Sequence, residues 1–291
     1  MNRTIPESIG KLTMLFSLDL DWNSWEGVLT EAHFQNLTQL KSLWLSTEVS
    51  ANSTLVLKVK QDWVPPFKMI DLQLTNVRIG PTFPTWLKTQ NELNVLVLEN
   101  AGISDSIPHG LWKSYPNVTD WNLSHNKLRG QVPYFKFQPL VARVDLRSNK
   151  LEDLSSNNLS GEIPDNITGI TELVIMNLSM NHLTGRIPKK IGNLHKLQSL
   201  DLSMNELYGP IPESLSNLTF LSYLNLLFNN LSGKIPTGNQ LQTLDDSSIY
   251  GGNSLLCGPP LSSKCSKDET NSKVTPNGGN QKGTGVESFS F

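Results

Sequence analysis

The chain lacks the features that mark several large classes of protein. Charged residues make up only 17% of its 291 residues, and 24 Lys and Arg nearly balance 26 Asp and Glu. Since no basic cluster occurs either, nothing favours nucleic-acid binding. There is no run of about 18 apolar residues, and the first residues lack the apolar core of a secretion signal. Taken alone, these absences predict a soluble chain without a targeting segment.

Catalytic chemistry also has little support. The five histidines occupy different phases of the pattern described below, and no nucleophile completes a catalytic set around any of them. No phosphate-binding loop, kinase motif or metal-ligand cluster is present. We therefore expect no enzyme activity, no cofactor and no metal site.

What the sequence does contain is a repeat. Four similar segments, from LSSNNLSGEIP to LLFNNLSGKIP, begin 24 positions apart, and their Ile-Pro pairs keep the same spacing. Within LQSLDLSMN, Leu200 and Leu202 alternate with polar residues, which is the period of a short strand. This period predicts a leucine-rich-repeat solenoid, a curved horseshoe with short parallel strands on its concave face. Irregular, 3-10 or extended segments should cross the convex side.

The repeat also explains the abundance of asparagine. Where each strand turns inward, backbone groups are buried without a sheet partner, and an Asn amide has the donors and the acceptor to satisfy them. Stacked repeats should therefore form an asparagine ladder, and the positions in phase are Asn23, Asn126, Asn149, Asn157, Asn181, Asn205 and Asn229.

The regularity of the repeat divides the chain into four parts. Residues 1–149 repeat loosely, with an insertion near 49–68 that we expect to bulge out as a loop. Residues 150–236 form four regular 24-residue repeats. Residues 237–265 form a C-terminal cysteine cap, and the polar, Gly-rich residues 266–291 form a disordered tail. The step from Asn149 to Asn157 is too short for a coil, which favours a loss of sequence at this joint.

The chain has two cysteines, Cys257 and Cys265, and both lie in the cap. A disulfide between them would close it. The alternative is two free thiols in a reducing compartment.

Outward strand positions include aromatic residues that could anchor a protein or peptide partner. The candidates are Trp22, Trp44, Tyr223 and Phe228. The alternative is local packing between neighbouring strands.

Several Asn-x-Ser/Thr sequences could accept glycans if the chain is exported. The candidates are Asn36, Asn52, Asn117, Asn158, Asn166, Asn217 and Asn230. The alternative is that the repeat itself generates NLS and NLT for structural reasons.

The segments LDLSMN, GPIPESLSNLTFLSYLNL and GNSLLCGPPL, together with DWVPPF, resemble the extracellular part of plant leucine-rich-repeat receptor-like proteins. The resemblance covers residues 1–265 and is strongest to the group with xylanase-elicitor receptors and the scab- and mould-resistance homologues. It implies a ligand-binding ectodomain in plant defence, at the extracellular face of the plasma membrane. Since this chain shows neither a signal peptide nor a membrane helix, we expect a truncated ectodomain.

The resemblance further implies two partners. A microbial protein or peptide elicitor would bind the repeats, and a co-receptor kinase would contact the C-terminal ones. An alternative is a secreted leucine-rich-repeat inhibitor of a pathogen wall-degrading enzyme. The 29-residue step in the loose half and the block of four final repeats argue against that alternative.

Overall fold

The computed structural model describes residues 4–48, 54–108, 110–130, 140–151 and 162–265. Four predictions lie outside these ranges: Asn157 as a ladder residue, Asn52 and Asn158 as glycan acceptors, and the tail 266–291. Within the described ranges, no helix combines the length and the hydropathy needed to cross a bilayer.

The strands are short, as the alternation of apolar and polar residues predicts. In chain order they are β1 (Ser17–Asn23), β2 (Gly27–Leu29), β3 (Ser42–Thr47), β4 (Leu55–Leu57), β5 (Asp71–Thr75), β6 (Val77–Arg78), β7 (Val95–Glu99), β8 (Asp120–Asn122), β9 (Arg129–Gly130), β10 (Arg143–Asp145), β11 (Lys150–Leu151), β12 (Ile175–Asn177), β13 (Ser199–Asp201), β14 (Tyr208–Pro210), β15 (Tyr223–Asn225), β16 (Asn230–Lys234) and β17 (Leu255–Cys257).

Nine of these strands form one parallel sheet with the order β1-β3-β5-β7-β8-β10-β12-β13-β15. Each strand pairs with the strand of the next coil, so the order of the strands in the sheet is the order in which the coils stack. Three small parallel sheets, β2-β4-β6, β9-β11 and β14-β16-β17, lie where the chain leaves the main sheet. This architecture is a leucine-rich-repeat solenoid, and the predicted fold class is confirmed.

The core consists of the inward side chains of the main sheet and the apolar side chains of the opposite wall. Leu200 and Leu202 are fully buried, and so is Leu197, which precedes the strand. The Ile of each Ile-Pro pair, such as Ile187 and Ile211, closes the core from the other side. At about 25 cal/mol per Å² of apolar surface removed from water, these stacked side chains supply most of the driving force for folding.

The convex side is made of single turns. The 3-10 helices are Glu7–Lys11, Glu31–His33, Thr85–Thr89, Asp165–Gly169, Ile191–Asn193, Glu213–Asn217, Leu241–Thr243 and Ser247–Tyr250, and one α-helical turn covers Leu111–Ser114. Several follow a proline such as Pro84 or Pro212, whose extended backbone directs the chain into the turn.

Asparagine side chains join the coils where each strand ends. Nδ2 of Asn205 donates to the carbonyl of Leu178 in the preceding coil at 3.0 Å, and to that of Leu202 in its own coil at 3.1 Å. Its Oδ1 accepts the N–H of Leu183 at 3.0 Å. Equivalent bonds occur at Asn126, Asn149, Asn181 and Asn229. Each buried amide therefore satisfies backbone groups of two coils at once.

The ladder is less regular in the first coils. Asn23 is exposed, and its Nδ2 donates within its own turn, to the carbonyl of Asp21 at 2.8 Å. Two later coils have buried Val77 and Ala101 at the ladder position instead. The loose part of the repeat therefore has fewer amide bridges between its coils than the regular part.

The coil ending at Asn149 stacks directly on the coil ending at Asn181. β10 pairs with β12, Nδ2 of Asn181 donates to the carbonyl of Leu146 at 3.1 Å, and its Oδ1 accepts the N–H of Leu151 at 3.2 Å. β10 and β12 are therefore direct neighbours in the main sheet.

The described part of the insertion, residues 54–68, does not bulge out as a loop. Its Leu55 and Leu57 are buried, and β4 pairs with both β2 and β6. Trp63 packs edge-on against Phe67 and Trp86, with ring centroids 6.2 and 5.7 Å apart. The expectation of a free loop is wrong because these apolar side chains give the insertion its own place in the core.

The stack continues into the segment predicted as a cap. Asn253, 24 positions after Asn229, donates to the carbonyl of Leu226 at 3.0 Å and accepts the N–H of Leu231 at 3.0 Å. β17 then pairs with β16, and Cys257–Cys265 forms the disulfide. The cap is thus built on one further coil. Asn253 was not among the predicted ladder residues, although its 24-residue spacing from Asn229 identifies it.

We expect Asn229→Ala to lower the free energy of unfolding by about 3 kcal/mol, because a buried N–H and two buried carbonyls lose their partner. The matched control is Asn230→Ala at the adjacent, exposed position, which should change stability by less than about 0.5 kcal/mol. Urea unfolding of protein made in bacteria, where neither residue is glycosylated, measures both. Equal effects of the two substitutions would contradict the ladder's role.

Candidate protein-binding surface

Outward side chains of the main sheet form three columns across the concave face. The strand register aligns Ser199 with Tyr223 in the first column and Asp201 with Asn225 in the second. The third column consists of the residues two positions after those of the second column, such as Ser203. Because parallel strands lie about 4.8 Å apart, each column is a continuous row of side chains. A bound chain could contact the exposed members, whereas others, such as Ser203 and Asp145, are buried.

A ridge borders the third column. At its positions the backbone enters the left-handed region, with φ between 49° and 61° at non-glycine residues, one residue before the ladder position. Its members are Trp22, Asn76, Asn100, His125, Ser148, Met180, Met204, Phe228 and Gly252. We call this row the lateral ridge. This conformation costs a non-glycine residue roughly 1–2 kcal/mol. From His125 onward, each described member of the ridge is followed by a buried ladder asparagine that holds the turn in place.

Gly252 is the end of the lateral ridge, and its φ is 73°. A Cβ at this position would collide with the ring of Phe228, which leans over the glycine. The packing of Phe228 at the C-terminal end of the concave face therefore depends on the absence of a side chain at residue 252.

The second column contains a second set of turn-closing side chains. Oδ1 of Asp201 accepts both the N–H of Ser203, at 3.0 Å, and its hydroxyl, at 2.7 Å. Asn122 and Asn177 accept the same pair of bonds from the serines two positions later. These asparagines also lie in Asn-x-Ser sequences, and their side-chain oxygens are already engaged in the turn.

Arginines and carboxylates meet at the centre of the concave face. The carboxylate of Asp145 is almost fully buried and lies 3.4 Å from Arg143 and 3.6 Å from Arg147. Arg143 also reaches Asp120 at 3.9 Å, and Arg147 reaches Glu99 at 4.0 Å. Because these charges compensate one another, the centre of the face is held together by ion pairs with little net charge left over.

Burial raises the pKa of the Asp120 carboxyl above its ordinary value, and the nearby positive charge of Arg143 only partly opposes the shift. Asp21, on the third column near the N-terminal end, has its pKa raised mainly by burial too. Both carboxylates therefore carry a desolvation cost at neutral pH that a cationic partner would reduce.

The four predicted aromatic anchors fall into two separate groups. Trp22 is 88% exposed on the lateral ridge, and Trp44 is half-buried in the second column. Tyr223 is 48% exposed and Phe228 54% exposed at the other end of the sheet. Strands β1 and β15 are eight spacings apart, about 38 Å. The structure therefore does not bring the four residues together in one site.

The N-terminal group borders a groove. A depression of about 890 Å³ runs along the lateral ridge from Trp22 to Ser148, and Glu48, Glu99 and His125 also line it. His125 lies 4.0 Å from the carboxylate of Glu99. Trp44 lies close by, and its indole N–H has no acceptor among the described residues. This groove combines an exposed aromatic ring with polar and charged groups, as protein-binding sites commonly do.

The predicted glycan acceptors occupy other surfaces. Asn36, Asn117 and Asn217 are exposed beside the convex turns, and Asn230 is exposed on β16. Asn166 is half-buried. The exposed acceptors leave the concave face itself uncovered.

Comparison with known proteins supports the repeat. The sequence profile described as Leucine Rich Repeat matches residues 153–170, 172–194 and 196–218. The chain is 39% identical over 139 residues to Receptor-like protein EIX2 of Solanum lycopersicum, and 48% identical over 143 residues to Receptor-like protein 14 of Arabidopsis thaliana. These alignments cover 48% and 49% of the chain but only 12% and 13% of the relatives.

Solved structures agree on the fold. A plant ice-binding protein matches 90% of the chain over 80% of its own length, with a TM-score of 0.74 and 28% identity. The receptor kinase HAESA of Arabidopsis, solved with the peptide hormone IDA and the co-receptor SERK1, matches 89% of the chain over 41% of its own length, with a TM-score of 0.70 and 28% identity.

We expect Asp120→Asn to raise the free energy of unfolding at neutral pH by up to about 1 kcal/mol, because the ionised form is disfavoured by burial. The gain should vanish at low pH, where the carboxyl is protonated in both states, and grow as the pH rises past the ordinary Asp pKa of about 4. Urea unfolding across this range measures it, with Asp62→Asn, exposed away from the sheet, as the control. A loss of stability at every pH would show that the pairing with Arg143 dominates.

With the fold, the surface and the comparisons together, the chain is a leucine-rich-repeat solenoid whose curated homologues are plant receptor-like proteins.

Proposed function

We propose that this chain is part of the non-catalytic, ligand-binding ectodomain of a receptor-like protein in plant defence signalling. The main support is the presence of two separate aromatic groups at opposite ends of one continuous concave sheet. Two such groups suit a protein that holds a ligand at one end and a signalling partner at the other. The homology to receptor-like proteins supports the interpretation of the two aromatic groups as binding surfaces.

The N-terminal group is the proposed contact for a microbial protein or peptide. Trp22 offers a large, rigid, exposed ring beside the groove. Trp44 has a buried indole N–H without an acceptor among the described residues, and such an unsatisfied donor costs about 1–3 kcal/mol. A ligand carbonyl that reached this group would recover part of that cost.

The C-terminal group is the proposed contact for a co-receptor kinase. Tyr223 and Phe228 lie in the last strand of the main sheet and the turn after it, and Met204 continues the apolar surface along the lateral ridge. HAESA, which has the same fold, was solved with the co-receptor SERK1. A surface of this composition, half-exposed and apolar next to polar side chains, is typical of transient protein contacts.

The remaining parts of the proposal concern location. The full-length protein would stand at the extracellular face of the plasma membrane, with glycans on the exposed acceptors Asn36, Asn117, Asn217 and Asn230. These positions suit glycans because they lie off the concave face, where a glycan would not block a ligand.

We expect Phe228→Ala to weaken binding of the SERK1 ectodomain about ten-fold or more, since a central aromatic anchor commonly contributes about 2 kcal/mol. The matched control is Phe220→Ala, which removes the same side chain from a position that is 63% exposed outside the concave face. Biolayer interferometry with the purified chain measures both, and thermal unfolding checks that each variant is folded.

Equal binding by the wild type and the Phe228→Ala variant would remove the C-terminal end of the face from the proposal. Inhibition of a fungal wall-degrading enzyme by the purified chain, without co-receptor binding, would instead favour the alternative of a secreted inhibitor.

A further inference from the structure

A second pocket lies on the flank of the solenoid, away from the concave face and the lateral ridge. It has a volume of about 560 Å³ and forms between the insertion, from Val56 to Gln61, and the segment from Arg78 to Trp86 in the next coil. β4 and β6 hold the two segments in register, with Val56 opposite Arg78. The pocket therefore exists because the insertion is ordered.

The pocket is cationic in a chain whose net charge is −2. Lys58, Lys60 and Arg78 line it, and all three are exposed. The lining contains no carboxylate, and none of the three forms an ion pair with a carboxylate of the described residues. This local excess of positive charge is available to a ligand.

Two acidic side chains of neighbouring coils, Glu31 and Asp105, accept hydrogen bonds from backbone N–H groups of the pocket segments. Oε1 of Glu31 accepts the N–H of Lys60 at 2.7 Å, and this bond lowers the pKa of Glu31. Oδ2 of Asp105 accepts the N–H of Phe83, which lines the pocket, at 3.5 Å. Although the charge of Glu31 offsets part of that of Lys60, the carboxylates serve to position the segments that build the pocket.

Lys58 and Lys60 directly follow β4 at alternate positions of the chain, and both are exposed while Val59 between them is half-buried. The N–H of Lys58 donates to the carbonyl of Leu29 at 2.9 Å, and the N–H of Lys60 points the same way, to Glu31. Two residues of an extended chain are about 6.6–6.8 Å apart and project to the same side. Arg78 is fixed beside them, because its side chain packs over Gly102, where a Cβ would lie 3.5 Å from its Cγ.

We propose that this pocket binds an extended acidic peptide segment with carboxylates at alternate positions. The i, i+2 spacing of such a peptide matches that of Lys58 and Lys60, and its intervening side chains would meet the half-buried apolar walls formed by Val59, Ile79 and Pro84. The site rests on the proposed function only in that the chain binds protein, and it uses none of the aromatic residues of the concave face.

The test uses the full chain and a fluorescent heptapeptide with Glu at every second position and Val between. The variant Lys58→Gln/Lys60→Gln/Arg78→Gln should bind it about ten-fold more weakly, because three exposed charge pairs each contribute a factor of roughly 1.5–5. The control Lys127→Gln/Lys189→Gln/Lys190→Gln changes the net charge equally at exposed positions elsewhere, and its affinity should match that of the wild type.

Fluorescence anisotropy measures the dissociation constants, and circular dichroism shows that both variants are folded. A second peptide of the same composition, with its Glu residues contiguous, should bind the wild type several-fold more weakly. Equal loss of affinity in the two triple variants, or equal affinity for the two peptides, would overturn the proposal. So would binding of an oligogalacturonate at this pocket without binding of the alternating peptide. The Phe228→Ala experiment tests the proposed function separately. A failed peptide-binding test would therefore leave the proposed function standing, and a failed co-receptor test would leave the pocket proposal standing.

Discussion

The buried asparagine amide is the interaction on which this molecule depends. A solenoid turns its backbone inward at every coil, and each turn places N–H and C=O groups where neither water nor a sheet neighbour reaches them. Asn205 resolves this by donating to two coils and accepting from one of them. Because the same side chain closes its own turn and bridges to the preceding coil, the stacking distance and the turn geometry are fixed together.

The geometry of the lateral ridge follows from the turn that the buried amide fixes. Once the amide fixes the turn, the residue before it must adopt a left-handed conformation, and its side chain projects along the edge of the concave face. At Phe228 the buried amide of Asn229 compensates the cost of this conformation, whereas Trp22 adopts it beside the exposed Asn23. The lateral ridge thus offers a position whose backbone is rigid and whose side chain is free to vary, which suits a family of proteins that recognise different partners.

The distinct surfaces of the molecule lie where the repeat departs from its regular pattern. The coils with Val77 and Ala101 at the ladder position lie next to the ordered insertion and its cationic pocket. The direct pairing of β10 with β12 lies beside the ion-paired centre of the concave face. Acidic groups near Trp22 and cations near Lys58 give the two flanks of the N-terminal half opposite character, although the chain as a whole is almost neutral.

The sequence by itself determined the fold class, the strand positions and most of the ladder, because each depends on local periodicity: Leu at alternate positions, Asn every 24 residues and Pro after Ile. It also contained Asn253, which the same spacing predicts. Only the tertiary structure decided what depends on contacts between distant residues. It packed Trp63 against Phe67 and Trp86, so that an expected loop became part of the core. It stacked Asn181 directly on the coil of Asn149, and it separated Trp22 from Phe228 by the width of the sheet. A repeat specifies how one coil is built, whereas side-chain packing across coils determines which surfaces the stack exposes.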